Sequence, residues 1–93
     1  MEKNNVWAVI PAYNEEKDIA AIAKKAKKYV DEVVIVDDGS TDKTGKFANS
    51  SGAFVVRHMV NLGKGAALKT GCDFAIKKGA ESIVVLDADA QHN

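Results

Sequence analysis

Aspartate pairs follow two of the four short apolar runs in this 93-residue sequence. The pairs are Asp37 and Asp38 after the second run, and Asp87 and Asp89 after the fourth. Parallel sheets bind ligands outside the carboxyl ends of their strands, so we expect these acids to converge at one edge of a sheet. Like charges held close together destabilise a fold. The pattern therefore predicts a cation or a hydrogen-bonding ligand at this edge.

The segment Asp87-Ala88-Asp89 with Gln91 combines two carboxylates and an amide oxygen just past a strand. These hard oxygen ligands suit Mg²⁺ or Mn²⁺ and would leave coordination positions for substrate phosphates. A pair of aspartates that merely caps a turn is the simpler alternative. A phosphatase with an aspartate nucleophile also uses two carboxylates after a strand, although we would expect that pair after the first strand.

The segment Asn61-Leu62-Gly63-Lys64-Gly65 precedes a predicted helix. Its glycines let backbone approach a ligand closely, and Lys64 beside a helix N-terminus favours an anionic phosphate. The segment lacks the Gly-Lys-Ser/Thr of an ATP-binding loop, and Leu68 stands where a dinucleotide fingerprint needs glycine. A tight loop without a ligand is the alternative.

The segment Asp37-Asp38-Gly39-Ser40-Thr41-Asp42 combines a strand end with a helix start. We expect Ser40 or Thr41 to cap the second helix, which leaves Asp37 and Asp38 without a structural explanation. One of them could accept hydrogen bonds from a nucleobase or a ribose. His58, His92 and Cys72 lack the spacing of zinc ligands.

The four runs predict buried parallel strands, because they are apolar on both sides of the pleat. They are Val6–Ile10, Val33–Val36, Ala53–Val56 and Ser82–Leu86, with Trp7 and Phe54 expected in the core.

Three amphipathic segments separate these strands and predict helices. The first follows Asn14 as its N-cap, the second starts at Thr41-Asp42 and ends at Gly52, and the third runs from about Gly65 to Lys78, with Leu68, Cys72, Ala75 and Ile76 facing inward and Gly79 just past its end. The fold class is therefore α/β, with a doubly wound, Rossmann-like parallel sheet of four strands and three helices.

Composition excludes several classes of protein. The 13 Lys and Arg balance 13 Asp and Glu, which argues against a nucleic-acid binder that neutralises phosphates. No apolar stretch approaches the roughly 20 residues of a transmembrane helix. A single cysteine cannot form an internal disulfide, so we expect a reducing, cytoplasmic compartment.

Four segments in this order resemble the N-terminal half of family 2 glycosyltransferases, and in particular the branch similar to dolichyl-phosphate mannose or glucose synthases. They are Val9–Glu16, Val34–Thr44, Asn61–Gly65 and Leu86–His92. The resemblance implies a GT-A fold, with residues 1–93 as its nucleotide-sugar-binding half.

The resemblance also implies roles for individual residues. Those at the nucleotide sugar, a UDP- or GDP-sugar, would be Pro11, Tyr13, Glu15, Val36, Asp38, Lys64 and Asp87, and those at a Mg²⁺ or Mn²⁺ ion would be Asp87, Asp89 and Gln91. The acceptor could be a polyprenyl phosphate, which would bring the full-length enzyme to the cytoplasmic membrane face. The catalytic base would lie beyond Asn93, so we expect the 93 residues alone to be a truncated and inactive part of the enzyme.

Two other functions stay open at this point. One is a noncatalytic nucleotide-binding or assembly module that self-associates through an exposed sheet edge. The other is the aspartate-dependent phosphatase.

Overall fold

A computed structural model describes residues 5–88, in which four parallel strands alternate with three helices. The elements are β1 (Val6–Ala12), α1 (Ile19–Ala26), β2 (Glu32–Asp38), α2 (Thr44–Ser50), β3 (Phe54–His58), α3 (Lys64–Lys77) and β4 (Ser82–Val85). The strand order is β3-β2-β1-β4, with β1 and β2 central. The predicted α/β fold class and its Rossmann-like sheet are therefore confirmed.

Helices cover both faces of the sheet, which explains why its strands are apolar throughout. In β1, Ala8 and Ile10 pack on the face that α1 and α2 cover, whereas Trp7 and Val9 pack on the α3 face. Val33 and Ile35 in β2 belong to the first face as well. The period of two along each strand thus sends alternate side chains into two separate cores.

Three aromatic rings contact one another on the α3 face. The ring of Trp7 stacks on Phe54 with centroids 5.3 Å apart, and Phe74 meets Phe54 at 5.5 Å. Trp7 is 3% exposed, as expected for the core, whereas Phe54 at 39% lies at its border. Phe54 is only partly covered because β3 is an edge strand.

The inward face of α3 includes Leu68, Cys72 and Ala75, as predicted, but not Ile76. Ala67, Gly71 and Ala75 are buried at intervals of four residues, whereas Ile76 is 60% exposed. Successive helix residues are about 100° apart around the axis, so Ile76 lies about 100° from Ala75 and farther still from Gly71, outside the buried stripe. The predicted inward orientation of Ile76 is therefore wrong.

The C-terminus of α3 follows the prediction. Gly79 has a φ of 100°, its N–H donates to the carbonyl of Ile76, and the next N–H, of Ala80, donates to that of Ala75. These two bonds form a Schellman motif, whose left-handed position favours glycine.

The first two helices begin later than predicted. Asn14 does not cap α1, because its φ is 53° and its Oδ1 accepts the Thr41 N–H instead. The helix α1 starts five residues later, at Ile19, and α2 starts at Thr44 rather than at Thr41-Asp42. The predicted N-caps were wrong because these polar residues bond across to the neighbouring loop.

None of the helices within residues 5–88 combines the length and the apolar character needed to span a bilayer.

Close packing of α3 on the sheet depends on Gly71. A Cβ at this position would lie 2.4 Å from Val9 Cγ1 and 3.0 Å from Val36 Cγ2. Both side chains belong to the two central strands, so neither has room to move away. Glycine at position 71 therefore sets how near α3 approaches β1 and β2.

We predict that Gly71→Ala destabilises the protein by about 1–3 kcal/mol, since overpacking forces side chains and backbone apart. Urea unfolding followed by the fluorescence of Trp7, the only tryptophan, measures the change. The control is Gly65→Ala in the same helix, where an added Cβ meets no atom within 4 Å. Equal midpoints for the two variants would contradict this account of the packing.

Candidate functional site

A cavity of about 280 Å³ opens at the carboxyl edge of the sheet. Its lining comes from the ends of β1 and β2, from the loops after β1, β3 and β4, and from the start of α3: Pro11, Ala12, Tyr13, Glu15, Asp38, Asn61, Gly63, Lys64, Ala67 and Asp87. The structure therefore brings together six of the seven residues expected at a nucleotide sugar. The exception is Val36.

Val36 is fully buried and does not line the cavity. Its side chain points to the α3 face, where its Cγ2 lies against Gly71. The side chain of Val36 is therefore not placed to contact a ligand in the cavity, because α3 covers that side of β2. Its expected place at the nucleoside stays a prediction.

Asp38 accepts several hydrogen bonds at the cavity, and only 3% of it is exposed. Its Oδ1 accepts the N–H of Leu62 at 2.9 Å and contacts His58 Nδ1 at 2.7 Å. Its Oδ2 accepts the N–H of Gly63 at 2.8 Å and Nδ2 of Asn61 at 3.1 Å. Both oxygens are thus engaged by the protein itself, which leaves little capacity for the direct bond to a nucleobase or ribose that the sequence suggested.

These bonds change the acidity of Asp38. Burial by itself raises the pKa of a carboxyl group, because it disfavours the charged form. In Asp38 the hydrogen bonds from His58 and from the N–H groups of Leu62 and Gly63 outweigh burial and lower the pKa below its ordinary value of 3.8. The carboxylate is therefore ionised wherever the protein functions near neutral pH.

The neighbouring Asp37 points the other way and does not line the cavity. It is completely buried, and its Oδ1 accepts the N–H of Ser40 at 3.1 Å. Its Oδ2 lies 3.9 Å from Arg57 Nε and has no hydrogen-bond partner within the described residues 5–88. Asp37 thus shapes the turn after β2, and of the two candidates only Asp38 faces the cavity.

His58 was not identified from the sequence, where histidines were examined only as zinc ligands. Its ring bridges Asp38 and Thr70, with Nε2 lying 2.8 Å from Thr70 Oγ1. Its position at the end of β3 could have indicated this role, since His58 is the residue that pairs with Asp38 in the register of β2 and β3.

The rim that carries Tyr13 and Glu15 is held by the loop after β2. The N–H of Glu15 donates to Thr44 Oγ1 at 2.7 Å, and that of Asn14 donates to Ser40 Oγ at 2.9 Å. The prediction was that Ser40 or Thr41 caps α2. Ser40 instead supports the loop after β1.

Asp42 also holds the loop after β1 against the start of α2. Burial alone would raise the pKa of Asp42, but the hydroxyl and N–H of Thr44 and the N–H of Glu16 donate to it and lower the pKa. Tyr13, 45% exposed, is thus presented at a rim that is fixed from beneath.

Lys64 and Asp87 form an ion pair across the cavity, with Nζ 2.5 Å from Oδ2. Their side chains are 56% and 39% exposed, so water screens the pair and it adds little to stability. A ligand can therefore compete for either partner at small cost.

Asp87 is the described member of the predicted metal set, whereas Asp89 and Gln91 lie outside the described residues. Within residues 5–88, no three His, Cys, Asp or Glu side chains are grouped so that they could hold a metal ion. The carboxylate of Asp87 is nevertheless a hard oxygen donor at the cavity surface, which suits Mg²⁺ or Mn²⁺.

Comparison with known proteins identifies related sequences and structures. The model of the family described as glycosyl transferase family 2 matches residues 7–93. An uncharacterized protein of Methanocaldococcus jannaschii is 43% identical over all of this chain and 39% of its own length. A UDP-N-acetylglucosamine–dolichyl-phosphate N-acetylglucosaminyltransferase of Methanococcus voltae is 34% identical over 94% of this chain and 42% of its own.

A solved structure is also similar to this chain. It is glucosyl-3-phosphoglycerate synthase from Mycobacterium tuberculosis, crystallised with Mn²⁺, UDP-glucose and phosphoglyceric acid. The match has a TM-score of 0.69 and 31% sequence identity, and it covers 91% of this chain and 33% of that one. The present chain thus spans about two fifths or less of the length of these relatives.

The lowered pKa of Asp38 predicts how stability depends on pH. Because the folded-state pKa lies below 3.8, the ionised carboxylate stabilises the fold above pH 3.8. That contribution is lost as the pH falls through the lower, folded-state pKa. We expect Asp38→Asn to destabilise the protein by about 2–3 kcal/mol at pH 7, since buried donors lose a charged acceptor.

Urea unfolding of both proteins from pH 7 to pH 2 measures this difference, which should shrink at the acidic end. Asp73→Asn is the matched control, because the side chain of Asp73 is 58% exposed and pairs with Lys69 on the surface of α3. A loss of stability as large in the control, or one that grows toward low pH, would contradict the role assigned to Asp38.

Proposed function

Because the chain belongs to glycosyl transferase family 2, we propose that it binds the donor, a nucleotide-diphosphate sugar, for a metal-dependent sugar transfer. The observation that supports this most is the cavity itself. It joins an exposed lysine at a helix N-terminus, an acidic strand end and a fixed rim at the edge where such sheets bind ligands.

The nucleoside is assigned to the side of the cavity formed by Pro11, Tyr13 and Glu15. The exposed ring of Tyr13 offers an apolar face to a base, and Glu15 offers an acceptor for its N–H or for ribose hydroxyls. Asp38 contributes from below, through the turn that it holds. The side chain of Val36 contributes by supporting α3.

The diphosphate is assigned to the opposite side, at Lys64. This lysine is the first residue of α3, so its ammonium group and the positive end of the helix face an anion together. Its present partner Asp87, with Asp89 and Gln91, is the set that we propose holds Mg²⁺ or Mn²⁺. A bound metal stabilises the negative charge that develops on the leaving diphosphate.

The acceptor is proposed to be a polyprenyl phosphate, in keeping with the dolichyl phosphate named for the relative from Methanococcus voltae. Such an acceptor would bring the whole enzyme to a membrane surface. Among residues 5–88 we assign none as the carboxylate that deprotonates the acceptor, so donor binding rather than transfer is the activity to test.

Thermal unfolding tests donor binding, because a ligand that binds only the folded state raises the melting temperature. We expect UDP with Mn²⁺ or GDP with Mn²⁺ to raise it. Asp89→Ala should remove the part of the shift that depends on metal. No shift with UDP, GDP or CDP in the presence of metal would contradict the proposal.

A second prediction concerns Lys64. Lys64→Gln should weaken UDP binding by about tenfold or more in titration calorimetry, since a charge-assisted hydrogen bond is lost. Lys69→Gln is the control: this exposed lysine lies on the same helix, pairs with Asp73 and does not line the cavity. Equal weakening by both variants would indicate non-specific attraction.

The phosphatase alternative has a separate readout. Phosphate release from a simple phosphomonoester, lost in Asp87→Asn, would favour it over sugar transfer.

A further inference from the structure

A hydrogen-bonded chain of three side chains connects β2, β3 and α3 directly beneath the cavity. His58 Nδ1 lies 2.7 Å from Asp38 Oδ1, and its Nε2 lies 2.8 Å from Thr70 Oγ1. The side chains of His58 and Asp38 are only 11% and 4% exposed. Water therefore has little access to compete for these bonds.

Chemistry fixes the direction of the bond to Asp38. An ionised carboxylate only accepts hydrogen bonds, so His58 Nδ1 must carry a proton and donate it. In the neutral ring, Nε2 then accepts from the hydroxyl of Thr70. One histidine thus satisfies a buried charge on one side and reaches α3 on the other.

Apolar side chains contribute little to holding the turn above this chain. Met59, Val60 and Leu62 are 94%, 60% and 58% exposed, so their side chains do not hold the turn by packing in a core. Instead, Asp38 accepts the backbone N–H groups of Leu62 and Gly63. Gly63, with a φ of 103°, leads directly into Lys64.

We propose that His58 is a positioning residue that locks the Asn61–Gly63 turn onto α3 and thereby places Lys64 for the donor diphosphate. The inference rests on the proposed function, since it assumes that Lys64 meets the donor. His58 acts from outside the cavity through Asp38 and does not touch the ligand.

The connectivity Thr70–His58–Asp38 has the order of a hydrolase triad, but its position argues against that chemistry. Neither Thr70 nor His58 lines the cavity, so a substrate bound there would not reach the hydroxyl. The arrangement serves as a strut between two strands and a helix.

Three variants separate the two ends of the strut. His58→Asn keeps a donor near the position of Nδ1 and loses the contact with Thr70. His58→Gln reaches toward Thr70 and loses the donor near Asp38. Thr70→Val removes only the hydroxyl on α3, and Thr70→Ser is its matched control because it retains that hydroxyl.

Amide hydrogen exchange on the 93-residue chain reads the turn without any ligand. We expect His58→Gln to accelerate exchange at Leu62 and Gly63 by about tenfold or more. These amides donate to Asp38, whose carboxylate is held less firmly once the hydrogen bond from position 58 is lost. His58→Asn should restore most of their protection. The amides of Val34 and Ile35 in the central strand should change little in either variant.

Titration with UDP and Mn²⁺ completes the test. We expect the loss of affinity to be smallest in Thr70→Ser, larger in Thr70→Val and largest in His58→Gln. Unchanged exchange at Leu62 and Gly63 in His58→Gln would overturn the proposal, and so would equal acceleration in the central strand. Absence of UDP binding by the unaltered protein would overturn the proposed function alone, since the exchange comparison still decides whether His58 holds the turn.

Discussion

The buried charge of Asp38 is the constraint around which the site is organised. A carboxylate removed from water destabilises a fold unless donors replace its hydration. Here the donors come from one short stretch, His58 to Gly63, and they engage both oxygens. The turn after β3 therefore takes its shape from a charge on β2, and the start of α3 follows from that turn.

Alternation along β2 gives the two adjacent aspartates separate tasks. Asp38 faces α3 and holds the loop that leads to Lys64, whereas Asp37 faces the opposite side and accepts the N–H of Ser40. Ser40 in turn accepts the N–H of Asn14. Each of the two loops that flank the cavity is thus tied to one carboxylate at the end of a central strand, so a short strand end positions both walls of the site.

Local patterns predicted the strands, the order of elements and the end of α3 at Gly79, because those features depend on neighbours in sequence. The starts of α1 and α2 were mispredicted, since Asn14 and Ser40 are engaged by partners 26 or 27 residues away. The role of His58 escaped notice for the same reason: its partner Asp38 is 20 residues distant. Six of the predicted site residues converge because the carboxyl ends of parallel strands meet at one edge of the sheet. Which donors each carboxylate binds depends instead on how the strands are aligned and on the loop that faces it, and neither can be read from neighbours in sequence.

The two acid–base pairs of the site differ in exposure, and this difference suits them to different tasks. The contact between Asp38 and His58 is almost fully enclosed, so breaking it would leave a buried charge with one donor fewer and no water to replace it. The pair of Lys64 and Asp87 is half exposed, and water already offsets much of its attraction. A ligand can separate the second pair without disturbing the first. An enclosed contact beneath the cavity and an exchangeable ion pair at its surface thus lie close together, a combination that favours reversible binding of a charged ligand.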